Sequence, residues 1–314
     1  MAIRACDRHR AVAVTLLVAA ALAGAVLPTP SVTVQLWALV VGVAVGLPHG
    51  ALDQPAARAV LQGRFGQWWP APFIGFYLGL AALVLLVWSV VPVIALALFL
   101  SLSVAHFGLG DAEPDGALRP MAAFAHGGAV VIAPATFYQK EVASIFEVLA
   151  SGGGELAAFL AGPIAVMWIG SIAALLMARR TPDWASSIEL LTVVAVFAAL
   201  PPLMAFALYF GVLHAPRATL AETASAGEAT CATLGRLLRT AAPASLAAAA
   251  AGGVAFMLLR DGMSTSVAVT SIIFIGLAAL TVPHIALGVA LRWTESRRSS
   301  HYRSLLTGAA AARR

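Results

Sequence analysis

The 314-residue chain carries seven histidines, and five of them lie in or beside long apolar runs. An ionisable side chain at membrane depth is costly, so each of the five marks a candidate site. His49 sits in Gly46-Leu-Pro-His-Gly-Ala-Leu-Asp53, and His106 in Ser103-Val-Ala-His-Phe-Gly-Leu-Gly-Asp111. Both follow an apolar run and precede a glycine and then an aspartate. His214 follows Leu208-Tyr-Phe-Gly-Val-Leu213, and His284 lies in Thr281-Val-Pro-His-Ile285. Four neutral imidazoles at one depth make a transition-metal site, and imidazole suits Fe, Zn, Cu and Ni. The two cysteines, Cys6 and Cys231, have no metal-like spacing and join no histidine, which argues against a structural zinc site. His49, His106, His214 and His284 are therefore the candidate metal ligands. Asp53 and Asp111 can accept the second ring N–H of a ligating histidine and so fix its tautomer. His126, in Ala125-His-Gly-Gly128, reads as packing or a pocket wall. His9 and His301 lie in polar termini and are expected to have no role.

The elements that must hold these residues follow from composition. Hydrophobic residues make up 61% of the chain and charged residues 11%, against about 45–50% and about 25% in soluble domains. So few charges cannot cover a water-facing surface, which excludes a soluble enzyme, a nucleic-acid binder and a disordered protein. The net charge of +5 comes from Arg and Lys at the ends of apolar runs, where they orient membrane helices. The expected fold is all-α, a polytopic membrane bundle of about 8–9 spans. Long unbroken runs do not fit the alternating strands of an outer-membrane barrel.

Apolar runs extend over Ala11–Leu27, Val32–Leu47 and Phe73–Val90, then on from Pro92 to Ala105. Met121–Tyr138, Leu156–Met177, Ile188–Leu213, Ala241–Leu259 and Val267–Leu291 follow. The first run, after Arg4, Arg8 and Arg10, reads as a transmembrane helix rather than a signal peptide, because Pro28-Thr-Pro30 leads straight into another apolar run. Gln139–Leu149 mixes charges with Val, Ile, Phe and Leu and predicts an interfacial amphipathic helix that stops before Ser151-Gly-Gly-Gly154. Nine crossings would separate the basic N-terminus from the basic tail (Arg292, Arg297, Arg298 and Arg303), against the positive-inside rule. Pro201-Pro202 offers two readings: a re-entrant turn, which repairs the count and brings the four histidines to one depth, or a kink in a single span. The expected organisation is one membrane domain: an extra helix or anchor over 1–30, a core over 31–292 and a basic cytoplasmic tail over 293–314.

Pro48-His-Gly-Ala-Leu-Asp53, His106-Phe-Gly-Leu-Gly-Asp111, Tyr209-Phe-Gly-Val-Leu-His214 and Thr281-Val-Pro-His284 occur in that order. This ordered set resembles the Brp/Blh family of bacterial and archaeal membrane proteins, β-carotene 15,15′-dioxygenases that make retinal. The resemblance runs from about residue 35 to residue 292. It implies Fe(2+) held by histidines at His49, His106 and His214, with β-carotene or a related carotenoid and O2 as substrates. It also implies a lipid-bilayer setting in the cell's plasma membrane and a rhodopsin as a potential recipient of the product. The family's third ligand segment usually has another histidine four residues on, where this chain has Ala218. That departure leaves three readings: a three-histidine site, a fourth ligand from His284, or loss of oxygenase activity. Phe107, Tyr138, Tyr209, Phe210 and Trp293, with His126, are candidates to line a substrate tunnel.

Two other functions compete. A non-catalytic carotenoid- or retinal-handling protein is favoured by Ala218 and opposed by the retained motifs. A metal-ion transporter needs membrane carboxylates or serial polar sites, and the acidic residues read as mostly in loops. Lys140 is the chain's only lysine and lies outside the apolar runs, so an opsin-type Schiff base is not expected.

Overall fold

A computed structural model describes residues 2–112, 116–178, 184–225 and 231–311. Among these the chain is helical, with no strand. The helices are α1 (Ala2–Val26), α2 (Val32–Ala51), α3 (Asp53–Phe65), α4 (Pro70–Val90), α5 (Pro92–Asp111), α6 (Arg119–Phe137) and α7 (Gln139–Leu149). After these come α8 (Gly154–Phe159), α9 (Ala165–Ala178), α10 (Trp184–Ala199), α11 (Pro202–Leu208), α12 (Ala215–Ser225), α13 (Cys231–Leu259) and α14 (Thr265–Ala311). Two π-helical turns, Leu160–Ile164 and Tyr209–His214, join α8 to α9 and α11 to α12. Nine helical segments among the described residues are long and apolar enough to cross a membrane, and Trp184–Ala199 is a shorter apolar helix. The protein is an all-α, multi-pass membrane bundle. Leu, Val, Ile and Phe side chains face outward along most helices, as they do where lipid rather than water is the solvent.

Contacts between helices define two ends. At one lie His9 beside Val212, Arg10 beside Glu189, Asp53 beside Tyr77 and His284, and Asp111 beside His214. At the other, Trp88 meets Leu149 and Gly24 meets Leu200. The apolar run from Ile188 to Leu213 is therefore not a kinked single span. From Glu189 beside Arg10 to Leu200 beside Gly24, α10 runs the same way as α1, and after the turn Val212 is back beside His9. Pro201 has no amide hydrogen to continue α10, and Pro202 stands at the first position of α11, where a helix tolerates it. The run is two antiparallel helices. At 16 residues, α10 rises about 24 Å, less than the roughly 30 Å of a hydrocarbon core. Arg179 and Arg180, which entered the charge argument, lie outside the described residues.

Close helix contacts depend on small residues. A Cβ at Gly108 of α5 would sit 1.9 Å from the Ala123 carbonyl oxygen of α6, and one at Gly127 of α6 would sit 1.9 Å from that of Val104. Lipid provides no hydrophobic drive between helices, so backbone approach of this kind and its van der Waals contact hold the pair together. At the site end, a Cβ at Gly46 of α2 would lie 2.0 Å from the Phe210 ring. That approach brings α2 against the π turn that carries His214.

The amphipathic helix expected over Gln139–Leu149 forms with those bounds as α7. It buries Val142, Phe146 and Leu149. The Glu147 carboxylate accepts hydrogen bonds from the amides of Gly152, at 3.0 Å, and Gly154, at 3.3 Å. These amides hold its carboxyl below the usual range and clamp the turn that ends α7. The first helix is part of the bundle: Ala13 and Leu17 belong to the buried core.

Candidate metal centre

Four helices bring four histidines to one end of the bundle. His49 and His284 each directly follow a proline inside a helix, Pro48 in α2 and Pro283 in α14. A proline there removes one backbone hydrogen bond and lets the helix bend. His106 lies near the end of α5, and His214 closes the π turn after α11. Ring centroids are 5.4 Å apart for His49 and His214, 5.3 Å for His106 and His214, and 6.1 Å for His49 and His106. His284 is 5.1 Å from His49 and 5.3 Å from His106. One ring nitrogen from each of His49, His106 and His214 falls within 4.8 Å of the other two.

The polar atoms around the cluster are consistent with a cation at its middle. His214 Nδ1 donates to Asp111 at 3.2 Å, and Tyr209 also donates to Asp111. His284 Nδ1 donates to Asp53 at 2.9 Å, and the Tyr77 hydroxyl donates to the same carboxylate at 2.8 Å. With Nδ1 protonated and bonded, Nε2 of each ring carries the lone pair. Nε2 of His214 is buried and has no hydrogen-bond partner. A buried polar atom left unpaired is expensive, and a metal ion at the cluster would satisfy it. The nitrogen donor set fits a borderline metal such as iron.

The π turn has a specific effect. Its wider pitch sets residues five apart on one face, so Tyr209 and His214 both reach Asp111, and their Oη and Nδ1 are 3.4 Å apart. Single π turns occur frequently at functional sites. The Val212 carbonyl of this turn accepts from His9 of α1 at 3.0 Å. His9, expected to have no role, thus ties α1 to the turn.

Behind Asp111 is a charged network. Arg217 of α12 bonds Glu189 of α10 and lies 3.5 Å from Asp111, and Arg10 of α1 lies 2.9 Å from Glu189. Glu189 is only 1% exposed. The reading of the acidic residues as mostly in loops missed it. The signal was available, since a carboxylate inside the apolar run from Ile188 meets the rule that intramembrane ionisable groups have partners and roles. Removing one partner of a buried ion pair costs about 3–5 kcal/mol, because the other charge stays buried and uncompensated. Because Arg10 still faces Glu189 when Arg217 is replaced, Arg217→Met is expected to lose a smaller amount, about 1.5–3 kcal/mol for hydrogen bonds to charged groups, measured by denaturation in detergent, with Glu189→Gln in the same chain adding less than it costs alone. A loss within about 0.5 kcal/mol, the range of an ordinary surface change, would show that the network is not coupled.

A cavity of about 700 Å³ opens from the histidines, toward the large end of the range for small-molecule sites, about 300–1,000 Å³. His49, His106, His284, Phe107 and Phe210 line it. Three residues expected in its wall are elsewhere. Tyr138 is at the opposite end of the bundle, where its hydroxyl donates to the Ala198 carbonyl at 3.3 Å. Tyr209 is buried behind the site, turned to Asp111. His126 is buried on α6, beside the close contact with α5. The Trp293 side chain lies outside the described residues. Ile74 and Leu78 line the cavity and are 51% and 65% exposed, so it reaches the outer surface of the bundle at α4. Ala218, one turn beyond His214 on α12, is half-buried and offers no donor atom.

The model of a protein family described as Beta-carotene 15,15'-dioxygenase matches residues 40–292. A protein of uncultured marine bacterium 66A03 named Beta-carotene 15,15'-dioxygenase is 30% identical over 253 residues, covering 80% of this chain and 91% of that protein. A protein of Halobacterium salinarum named Probable beta-carotene 15,15'-dioxygenase Blh is 28% identical over 275 residues, covering 77% of this chain and 79% of its own length. No solved structure matches the chain.

Proposed function

The chain belongs to the β-carotene 15,15′-dioxygenase family, and from that premise we propose that it cleaves β-carotene, or a closely related carotenoid, at the central double bond to give retinal. The double bond breaks, each of its carbons gains one atom of O2, and O2 is the oxidant. The observation that carries this reading is the convergence of His49, His106 and His214 beside a large apolar cavity, lined by His49, His106 and His284, that reaches the outer surface of the bundle at Ile74 and Leu78. His49, His106 and His214, with His284 as a fourth, would hold Fe(2+). Ferrous iron, when bound, supplies the activation of O2.

The protein's own groups do the rest. Asp111 and Asp53 hold His214 and His284 in the tautomer that turns Nε2 inward. Apolar walls orient the polyene by shape, since it offers no polar handle, and exclude water from the reacting bond. The wall at Ile74 and Leu78 suits a substrate dissolved in the bilayer. Arg10, Arg58, Arg64, Arg119 and Arg217 all lie at the histidine end, while Lys140 and Arg260 lie at the other. The positive-inside rule puts the metal site toward the cytoplasmic face of the plasma membrane. The core over 31–292 carries the site, with α1 bracing it through Arg10 and His9. A rhodopsin is a fitting recipient for retinal released there.

Expression in a β-carotene-accumulating bacterium is expected to bleach the orange colour and to produce retinal by chromatography. Retained colour with folded, membrane-inserted protein would favour the carotenoid-handling alternative. The metal-transport alternative has one observation on its side, the buried Glu189. That carboxylate is already bonded to Arg217 and Arg10, which suits a structural role better than a transport path.

A further inference from the structure

Along α5 the residues facing the cavity run from His106 back to Leu96, and along α14 from His284 back to Phe274. Each stretch spans ten residues, and at the rise of an α-helix both place the far end of this arm about 15 Å from the histidines. There α7, at the end of the bundle opposite the histidines, contributes Val142, Ile145, Phe146 and Leu149 to the cavity wall. This helix is held firmly. The Trp88 indole donates to the Leu149 carbonyl at 2.8 Å, and the Glu147 carboxylate clamps the turn that follows. In the other direction the cavity passes the histidines to Gln54, Pro70 and Phe73. Half of a β-carotene molecule, from the central bond to the far edge of its ring, measures about 15 Å by covalent bond lengths. The length of this arm therefore matches half the substrate.

We propose that α7 is the end wall that sets the position of cleavage: one ring of the carotenoid stops against Phe146, and this places the central double bond at the histidine cluster. The inference rests on the carotenoid-cleavage reading and adds the residues that select the bond. A uniform polyene presents near-equivalent double bonds, so chemistry alone does not choose among them, and a fixed stop at half the substrate length does. Cleavage at a neighbouring double bond has the same balance, one oxygen atom of O2 to each carbon, and gives two aldehydes of unequal length.

The test uses the full chain in β-carotene-accumulating cells, with products separated by chromatography. Wild-type protein is expected to yield retinal. Phe146→Ala deepens the arm, lets the ring slide past, and is expected to raise unequal aldehydes from trace to about a tenth or more of product, in line with the modest size discrimination of apolar pockets. Retinal at wild-type purity from folded Phe146→Ala would overturn the proposal. Should that variant fail to fold, Ile145→Phe decides the matter, since Ile145 is only half-buried and tolerates a larger side chain. It shortens the arm, and the rate ratio of β-carotene to an apocarotenal truncated at one end is expected to fall about tenfold or more. An unchanged ratio would overturn the proposal. Failure of the underlying reading looks different: the wild type would then form no retinal, whereas a mistaken end wall leaves wild-type retinal formation intact.

Discussion

His49→Ala, His106→Ala and His214→Ala are each expected to strip iron from the purified protein and abolish retinal formation. Even partners of ligands typically change metal affinity by about 10–100-fold, and loss of a ligand should exceed that range. The three nitrogens converge within 4.8 Å, and the one further imidazole beside them, His284, is counted as a ligand already rather than as a replacement. Phe107 and Phe210 pack against His214 and have no donor atoms. Tyr209 is engaged with Asp111. Iron is read by elemental analysis of detergent-purified protein and retinal by chromatography. Full iron content in the three variants would remove these residues from the metal site.

His284→Ala is expected to be as severe as His49→Ala. The imidazole is 5.1 Å from His49 and 5.3 Å from His106, centroid to centroid. Its Nδ1 is bonded to Asp53, as that of His214 is to Asp111, so the two rings are held in the same manner. Ala218 supplies no donor, which makes His284 the nearest source of a fourth nitrogen. An Ala218→His substitution, one turn from His214, should then restore part of the iron lost in His284→Ala. If His284→Ala keeps its iron and changes only turnover, His284 belongs to the cavity wall and the site has three histidines.

The sequence by itself determined the class of solvent and the chemistry. With 11% charged residues the chain has no choice but lipid, and helical runs of membrane length follow from the hydrocarbon thickness. The ligand types were equally legible, because an imidazole in an apolar run is too costly to occur without a partner. Two of the four motifs also carried an aspartate, and neither aspartate bonds the histidine of its own motif. That exchange was not visible in sequence: Asp111 serves His214 and Asp53 serves His284, since partners along a helix are set by its 3.6-residue turn while partners across helices are set by packing. Pro201-Pro202 announced a break, yet only the position of Leu200 beside Gly24 and Val212 beside His9 resolved it as a full reversal. Tyr209 looked like a tunnel residue because of its aromatic ring. The π turn rotates it onto Asp111 instead. Tyr138 shared the aromatic character of a tunnel wall but turns its hydroxyl to the Ala198 carbonyl, outside the cavity lining. The ion network of Arg10, Glu189, Arg217 and Asp111 draws on four helices and could not be assembled from one dimension. Residue type sets what a side chain can do in the membrane, and the direction and register of the neighbouring helices decide which partner it meets.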